Sequence, residues 1–182
     1  MMKDIQEILV SKEEIEEICD RLAKQITEDY KDSKRKLVLI CILKGSLVFT
    51  AELMQRIDLP LEMEFMKVSS YGSNTVSSGY INIHLDIKRD DMEDVDFLII
   101  EDIIDSGKTL SHLVRYLQER GAGSVKTCTL LDKPDRRAID FHADYSGKVI
   151  PDAFVVGFGL DYNEQYRNLP YVGILKPEVY GG

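Results

Sequence analysis

The sequence predicts an α/β fold in which a doubly wound, mostly parallel sheet is flanked by helices. Two observations support this prediction. The apolar run at 37–43 is continuous, which is typical of a strand buried on both faces, as the strands of parallel sheets are. Predicted strands and helices then alternate along the chain, and this alternation indicates a parallel sheet. Because the 182 residues contain no internal repeat and no linker, we expect a single domain over 1–182.

The N-terminal part of the chain contains a predicted surface helix. Ser11 and Glu14 have the spacing of a capping box, and apolar residues recur after them at helical spacing. The buried strand 37–43 follows, and the polar residues 44–46 break it. Residues 47–56 then have the pattern of a second helix. The buried stripe expected on the first helix consists of Ile15, Ile18, Cys19, Leu22 and Ile26.

The rest of the chain continues the alternation. Residues 69–79 are rich in serine, glycine, asparagine and threonine, which predicts a mobile loop between two strands. A glycine-containing loop follows the run 96–100 and leads into a helix that Gly121 is placed to cap. The apolar face of that helix is predicted at Leu110, Leu113, Val114 and Leu117. The predicted strands are 61–68, 80–86, 96–100, 125–131, 154–157 and 171–175.

Composition argues against several classes of function. The net charge is −9 at pH 7, which disfavours a nucleic-acid surface because such a surface needs a basic face. The run 37–43 is far too short to cross a bilayer, and the N-terminus starts with charged residues. We therefore expect a soluble, cytoplasmic protein with no nucleic-acid or membrane partner. The three scattered cysteines are expected to be reduced, and the three histidines lack metal-ligand spacing.

The segment 98–110 carries the strongest signal for chemistry. A buried strand runs into two adjacent carboxylates, Glu101 and Asp102, and a third carboxylate stands where a helix begins. Backbone N–H groups at a helix N-terminus, with hydroxyl side chains beside them, can hold a phosphate dianion. A glycine there lets the backbone approach the ligand closely. The expected phosphate-binding residues after the carboxylate pair are Ile103, Ile104, Asp105, Ser106, Gly107, Lys108 and Thr109.

The carboxylates need a separate explanation, because acids repel a phosphate. They are explained if Glu101 and Asp102 face the hydroxyls of a sugar, or a Mg²⁺ ion that bridges the sugar to another phosphate group. Adjacent strand residues point to opposite faces, so two neighbouring ribose hydroxyls fit better than a single metal atom. A rival interpretation is a Walker-type nucleotide loop around 107–109, which needs a glycine where Asp102 stands. A carboxylate at that position would repel phosphates, so the rival interpretation fails.

With these residues the segment resembles the phosphoribosyl-pyrophosphate motif of the type I phosphoribosyltransferases. The chain from Ile5 to Tyr180 resembles the bacterial hypoxanthine-guanine members of that family. The resemblance implies the family's fold, with a small base-binding hood, and a homodimer or homotetramer. Four further stretches match, each just after a predicted strand, where open α/β sheets place their ligands.

Two of these matches concern the leaving group and a lid. The stretch 43–46 resembles the family's pyrophosphate loop, which implies a cis bond before Lys44 and pyrophosphate contacts from Lys44 and Gly45. The stretch 69–72 is similar to the family's lid, which implies that Ser70 and Tyr71 close over the reacting centre and exclude water. The lid loop is expected over 69–79, although composition alone does not separate a lid from a plain loop.

The other two matches concern the base. The stretch 130–137 implies that Lys133 donates a hydrogen bond to the 6-oxo group of a purine. An ammonium offers only donors, so it suits hypoxanthine and guanine but not the 6-amino group of adenine. The stretch 154–167 implies base stacking by Phe154 and a backbone contact to the base from Val155. It also implies that Asp161, in the purine-binding part, helps hold a second Mg²⁺ in addition to the one at Glu101 and Asp102, and that Arg167 meets the pyrophosphate.

The activity implied by the resemblance is Mg²⁺-dependent transfer of a 5-phosphoribosyl group from phosphoribosyl pyrophosphate to N9 of a 6-oxopurine, with Asp105 acting near N7. One alternative is a regulatory protein that binds the donor as a signal, although such relatives usually carry an added DNA-binding domain or a basic face. Another is an enzyme for a different base, because Lys133 does not separate guanine from xanthine. The chain departs from the family pattern at Leu85, where a basic residue is common. That departure bears on affinity or subunit contacts rather than on the reaction class.

Overall fold

The computed structural model describes residues 1–70 and 81–181, and within them the chain forms nine strands and four α-helices. Short 3₁₀ turns precede the first strand, precede the fifth strand and follow the sixth. In chain order the elements are β1 (Ile5–Val10), α1 (Lys12–Tyr30), β2 (Lys36–Leu43), α2 (Leu47–Met54), β3 (Leu61–Ser70), β4 (Ile81–Leu85), β5 (Val95–Ile104), α3 (Lys108–Glu119), β6 (Ser124–Asp132), β7 (Tyr145–Val149), β8 (Val155–Val156), β9 (Val172–Leu175) and α4 (Pro177–Tyr180).

The main sheet has the strand order β4-β3-β2-β5-β6-β7. Neighbouring strands run parallel except β3 and β4, which are antiparallel. The chain moves outward from β2 to β3 and later outward from β5 to β6 and β7, so the strand order reverses between β2 and β5. Open α/β sheets bind ligands outside the carboxyl ends of the strands at such a reversal. The topology therefore points to a crevice between residues 43–46 and 101–109.

Helices cover both faces of this sheet, so the predicted fold class is confirmed. The apolar side chains of α1 and α2 share one core with Leu37 and Leu39 of β2. Those of α3 share the opposite core with Val38 and Ile40. Alternate residues of β2 thus enter opposite cores, which explains why the run 37–43 is apolar throughout.

Both predicted helix caps are present. The Oγ of Ser11 accepts a hydrogen bond from the Glu14 N–H at 3.1 Å, and the Ser11 N–H donates to Glu14 Oε2 at 3.0 Å. A cap of this kind stabilises a helix by about 1 kcal/mol. At the end of α3, Gly121 has a φ of 88° and its N–H donates to the Gln118 carbonyl at 2.9 Å. The predicted stripe of α1 is also buried.

A second, antiparallel sheet with the order β1-β9-β8 matches the small hood implied by the resemblance. The sequence analysis does not predict β1, because residues 6–8 are exposed and two register irregularities interrupt its alternation. It does not predict β7 either, since residues 146–148 are weak strand formers at the edge of the main sheet. Strands β8 and β9 belong to the hood rather than to the main sheet.

The predicted end of β5 is wrong, and the difference matters for the site. The strand continues past Ile100 to Ile104, because its pairing with β6 extends as far as Ile104 and Asp132. Glu101 and Asp102 are therefore strand residues rather than loop residues. The main chain that carries them is held on one side by β6.

The predicted beginning of the polar loop is also wrong. Strand β3 continues to Ser70, since its last residues pair antiparallel with β4. Helix α2 is shorter than predicted and ends at Met54. Tyr71 and the rest of the expected lid lie outside the described residues.

Two smaller observations complete the fold. Within the two described ranges, no helix is both long enough and apolar enough to cross a membrane. The three cysteines are buried free thiols, as expected for reduced residues. Burial raises the pKa of Cys19 to about 12, so this thiol stays protonated at neutral pH.

Candidate active site

The carboxylate of Asp102 lies at the strand reversal, in close contact with the loop after β2. A Cβ atom built on Gly45 would lie 1.7 Å from Asp102 Oδ2, so only a glycine fits there without a shift. The other carboxylate oxygen of Asp102 accepts a hydrogen bond from the Ile103 N–H at 2.8 Å. The predicted pyrophosphate loop and the predicted ribose-binding acids are thus brought together.

Glu101 and Asp102 also influence each other. Burial raises the pKa of Glu101 well above its ordinary value, and the negative charge of Asp102 raises it further. Burial raises the pKa of Asp102 to about 6, against the lowering effect of hydrogen bonds from Glu101 and from the Ile103 N–H. Bound positive charge would favour the ionised form of both groups.

The predicted phosphate loop lines a cleft of about 300 Å³. Gly107 has a φ of 80° and is the residue before α3, so its left-handed conformation makes the turn into the helix. The Lys108 N–H donates to Ser106 Oγ at 3.3 Å, and Asp105 is exposed at the mouth of the loop. The residues that line the cleft are Glu101, Ile103, Ile104, Asp105, Ser106, Gly107, Thr109 and Leu110.

The two predicted pyrophosphate-binding cations, Lys44 and Arg167, meet at the carboxylate of Glu164. Lys44 Nζ lies 2.8 Å from Glu164 Oε2, and Arg167 Nη2 lies 3.3 Å from Glu164 Oε1. Arg167 also pairs with Asp161 Oδ1 at 2.9 Å, and its positive charge lowers the pKa of Asp102. Glu164 is therefore a candidate site residue that the sequence analysis missed, and the spacing of Asp161, Glu164 and Arg167 at intervals of three residues was the only signal for it.

The backbone of this region has two features relevant to the prediction. The peptide bond between Leu43 and Lys44 is cis, as the resemblance implies. A Cβ built on Gly159 would lie 2.0 Å from the Gly45 carbonyl oxygen. The main chain before Asp161 thus packs directly on the predicted pyrophosphate loop.

Lys133 lies immediately after β6, beside the phosphate loop. Its N–H donates to the Ile104 carbonyl at 3.0 Å, and the residue is only 8% exposed. Within residues 1–70 and 81–181, no hydrogen bond or ion pair of its ammonium group is formed. The donors of this ammonium are therefore available to a ligand.

The predicted stacking residue Phe154 is accessible but already has aromatic neighbours. Its ring is 39% exposed and lies parallel to the Tyr180 ring, with 4.7 Å between the centroids. The Tyr162 ring meets it edge-on at 5.6 Å. Val155, the next residue, is buried in β8. The rings of Phe154, Tyr162 and Tyr180 thus form one aromatic cluster beside β8.

A second residue that the sequence analysis missed is Arg137. Its side chain is 11% exposed, and its guanidinium contacts the carboxylate of Asp132 and the main chain of the phosphate loop. The sequence placed Arg137 in the base-binding stretch but gave no reason to prefer it to Arg136, which is exposed and paired with Asp152.

Comparisons with known proteins agree with this arrangement. A family model described as a phosphoribosyl transferase domain matches residues 6–163. The chain is 54% identical to the hypoxanthine-guanine phosphoribosyltransferase of Bacillus subtilis and 52% identical to that of Staphylococcus epidermidis, over 99% of the chains in each case. Among solved structures, it matches a hypoxanthine phosphoribosyltransferase from Staphylococcus aureus with a TM-score of 0.93 and 49% identity, over 100% of this chain and 97% of the other.

Some relatives are much longer. The chain is 52% identical over 180 residues to the bifunctional protein TilS/HprT of Listeria innocua, and it spans 27% of that protein's length. The family model matches most of the chain, and the relatives are about half identical to it over almost its whole length. The chain belongs to the phosphoribosyltransferase family.

Proposed function

We propose that this chain transfers a 5-phosphoribosyl group from phosphoribosyl pyrophosphate to N9 of hypoxanthine or guanine, giving IMP or GMP and pyrophosphate in purine salvage. The observation that carries the proposal is the cleft lined by Glu101 of β5 and by the phosphate loop after it. Lys133 lies directly beside this cleft, because its N–H donates to the carbonyl of Ile104, one of the lining residues. The names of the relatives at 52–54% identity support it as well.

The donor would be held at three points. Glu101 and Asp102 bind the neighbouring ribose hydroxyls, and the residues from Ile103 to Thr109 hold the 5′-phosphate. Phosphate at a helix N-terminus is favoured by the free N–H groups and by the helix dipole. Fixing the phosphate and the hydroxyls together fixes the anomeric carbon between them.

The pyrophosphate would leave toward Lys44, Gly45 and Arg167. Both cations already face a carboxylate, Glu164, so they lie where negative charge is stabilised. As the bond from the anomeric carbon to the pyrophosphate oxygen breaks, negative charge builds up on the departing group. Positive groups already in place lower the energy of that transition state.

The acids at the crevice fit Mg²⁺ as the cofactor. They are Glu101, Asp102 and Asp161, and magnesium prefers oxygen ligands. No group of three or more acidic or sulphur- or nitrogen-bearing ligands is clustered in the described part of the chain. We therefore assign Glu101 and Asp102 to one ion and Asp161 to a second, since magnesium is commonly held by one or two carboxylates together with the phosphates of a substrate. An ion held there would neutralise negative charge on the pyrophosphate, and this favours its departure.

The base would be read by Lys133, Phe154 and Val155. The ammonium of Lys133 donates to the 6-oxo group, the ring of Phe154 stacks on the purine, and the backbone of Val155 meets the base edge. Asp105, at the mouth of the phosphate loop, acts near N7 as general base or as partner of an N7 proton. The bond from N9 to the anomeric carbon forms as the bond from that carbon to the pyrophosphate oxygen breaks. The N–H proton that the base loses passes to the Asp105 carboxylate and from there to solvent.

The proposal is tested by an absorbance assay with phosphoribosyl pyrophosphate, Mg²⁺ and one base at a time. Hypoxanthine and guanine should turn over, and adenine should not. Turnover of xanthine alone would replace the proposed substrates by that base, since Lys133 accommodates its 6-oxo group equally well. Tight donor binding with no turnover of any base would favour a regulatory protein of the same fold.

We propose, further, that the chain acts as one domain over 1–182, in the cytoplasm, as a homodimer or homotetramer. Large apolar side chains at the surface, such as Leu47 (47% exposed) and Leu85 (44% exposed), offer area for a subunit interface. The lid roles of Ser70 and Tyr71 belong to the same proposal. Sedimentation of the purified chain distinguishes a monomer from the two assemblies.

A further inference from the structure

Arg137 makes an unusual set of contacts beneath the phosphate loop. Its Nη1 donates to the carbonyl oxygens of Asp105 and of Ile104, the latter at 3.4 Å, and its Nη2 bonds to the carboxylate of Asp132. A Cβ built on Gly107 would lie 3.2 Å from Arg137 Cδ, so the aliphatic part of the side chain supports the loop at its glycine. One buried side chain thus touches three loop residues and the end of β6.

The neighbours of Arg137 hold the same stretch of loop by main-chain hydrogen bonds. The Lys133 N–H donates to the Ile104 carbonyl at 3.0 Å, and the Ala138 N–H donates to the Ser106 carbonyl at 3.1 Å. The carbonyls of three successive loop residues, 104, 105 and 106, are therefore all bonded to the segment 133–138. In a regular strand, successive carbonyls would alternate in direction.

The direction of these carbonyls decides the direction of the next amides. In a trans peptide, a carbonyl and the N–H of the following residue point in opposite directions. Carbonyls 104, 105 and 106 face the segment 133–138, so the N–H groups of 105, 106 and 107 face away from it. Three successive amides that point the same way form a concavity suited to an anion.

We infer that Arg137 is a positioning residue that sets this amide concavity and holds it in register with Lys133. The inference rests on the proposed function and names the residue that organises its phosphate site. Among the residues that the structure describes, the middle carbonyl, that of Asp105, is held by Arg137 and not by the main chain. A guanidinium has a planar fork of donors that reaches two carbonyls and a carboxylate together, whereas a lysine ammonium is a single point of charge.

The test compares the wild-type chain with Arg137→Lys, Arg137→Met and Arg136→Met, using calorimetry with IMP and with inosine. These ligands differ only in the 5′-phosphate. Loss of Arg137 should weaken IMP binding by roughly ten-fold or more, since hydrogen bonds that involve charged groups are worth that much. Inosine, which lacks the phosphate, should bind each variant as it binds wild type. Arg137→Lys keeps the charge beside Asp132, so it remains folded if Arg137→Met does not.

The control is Arg136→Met, which removes an equal positive charge from the residue that precedes Arg137. Arg136 pairs with Asp152 at the surface, and its side chain is 59% exposed, so this variant should bind IMP as wild type does. Equal losses for IMP and inosine, or unchanged IMP binding in both Arg137 variants, would overturn the inference while the proposed function stands. If wild type binds neither ligand and turns over no base, the proposed function fails, and the inference fails with it.

Discussion

Gly45 and Asp102 are in direct contact across the strand reversal: a Cβ on Gly45 would lie 1.7 Å from Asp102 Oδ2. The loop after β2 and the acids at the end of β5 are therefore placed by each other. In the proposed reaction, Asp102 binds the ribose and Gly45 binds the pyrophosphate. The bond between the ribose and the pyrophosphate is the one that breaks.

The first prediction is that Gly45→Ala lowers kcat/KM about 100-fold or more, because a displacement of an ångström at a reacting centre has effects of this size. Steady-state kinetics would measure it. The matched control is Gly121→Ala, which adds a methyl group where no atom lies within 4 Å and φ is 88°. That control should cost about 1 kcal/mol of stability and leave kcat/KM unchanged. A fully active Gly45→Ala enzyme would show that the close contact has no role in positioning.

The second prediction concerns Asp105. Changing Asp105→Asn should lower kcat by about 10²–10⁴-fold if the carboxylate handles a proton, with little change in the KM of the donor. The control is Asp140→Asn, in which a fully exposed carboxylate is neutralised. Unchanged turnover in the Asp105 variant would remove the residue from the chemistry.

The third prediction concerns Lys133. Replacement of Lys133 by alanine or methionine should raise the KM for hypoxanthine by roughly 10–100-fold, which is the worth of a charge-assisted hydrogen bond. The KM for the donor should change far less. The measurement is initial rate against each substrate in turn, and equal losses for both would count against a base-reading role.

The fourth prediction follows from the pKa of Asp102, which burial raises from 3.8 to about 6. A carboxyl with a raised pKa in the folded chain opposes folding above that pKa, because the charged form is then buried. The penalty is much smaller near pH 4, where the folded group is almost fully protonated and the unfolded group about half protonated, and it disappears at lower pH. We therefore expect Asp102→Asn to raise the free energy of unfolding at pH 7, in EDTA, by about 1–3 kcal/mol, while donor binding weakens. Urea denaturation at pH 7 and pH 4 checks it, and a gain of the same size at both pH values would refute the stated cause.

The fifth prediction separates stability from function. Ser11→Ala removes the cap of α1 and should lower the free energy of unfolding by about 1 kcal/mol. Because Ser11 lies outside the crevice, kcat/KM should stay at the wild-type value. A loss of activity without a loss of stability would show that α1 has a role in the reaction.

Much of the fold could be predicted because its strongest elements are local patterns. The continuous apolar strand β2, the capped helix α1 and the glycine-capped helix α3 all follow from spacing along the chain. The missed strands β1 and β7 depend on partners distant in sequence, and their own residues are partly exposed or small. The end of β5 was misplaced for the same reason, since pairing with β6 keeps Glu101 and Asp102 extended despite their charge.

The site shows the same division. Most of the proposed site residues lie at the ends of strands or just after them, so motif and topology together predicted them. Arg137 and Glu164 were missed because their importance comes from contacts rather than from their positions in a pattern. The sequence around Arg137 does not indicate that its guanidinium reaches main-chain carbonyls some 30 residues earlier in the chain. The contact between Gly45 and Asp102 was likewise beyond the sequence.

The most direct measurement is a crystal structure of the chain with IMP, magnesium and pyrophosphate. We predict the 5′-phosphate on the amides of residues 105–109, the ribose hydroxyls against Glu101 and Asp102, and the 6-oxo group within hydrogen-bonding distance of Lys133 Nζ. A nucleotide bound anywhere else, or one whose phosphate avoids that loop, would contradict the proposed function.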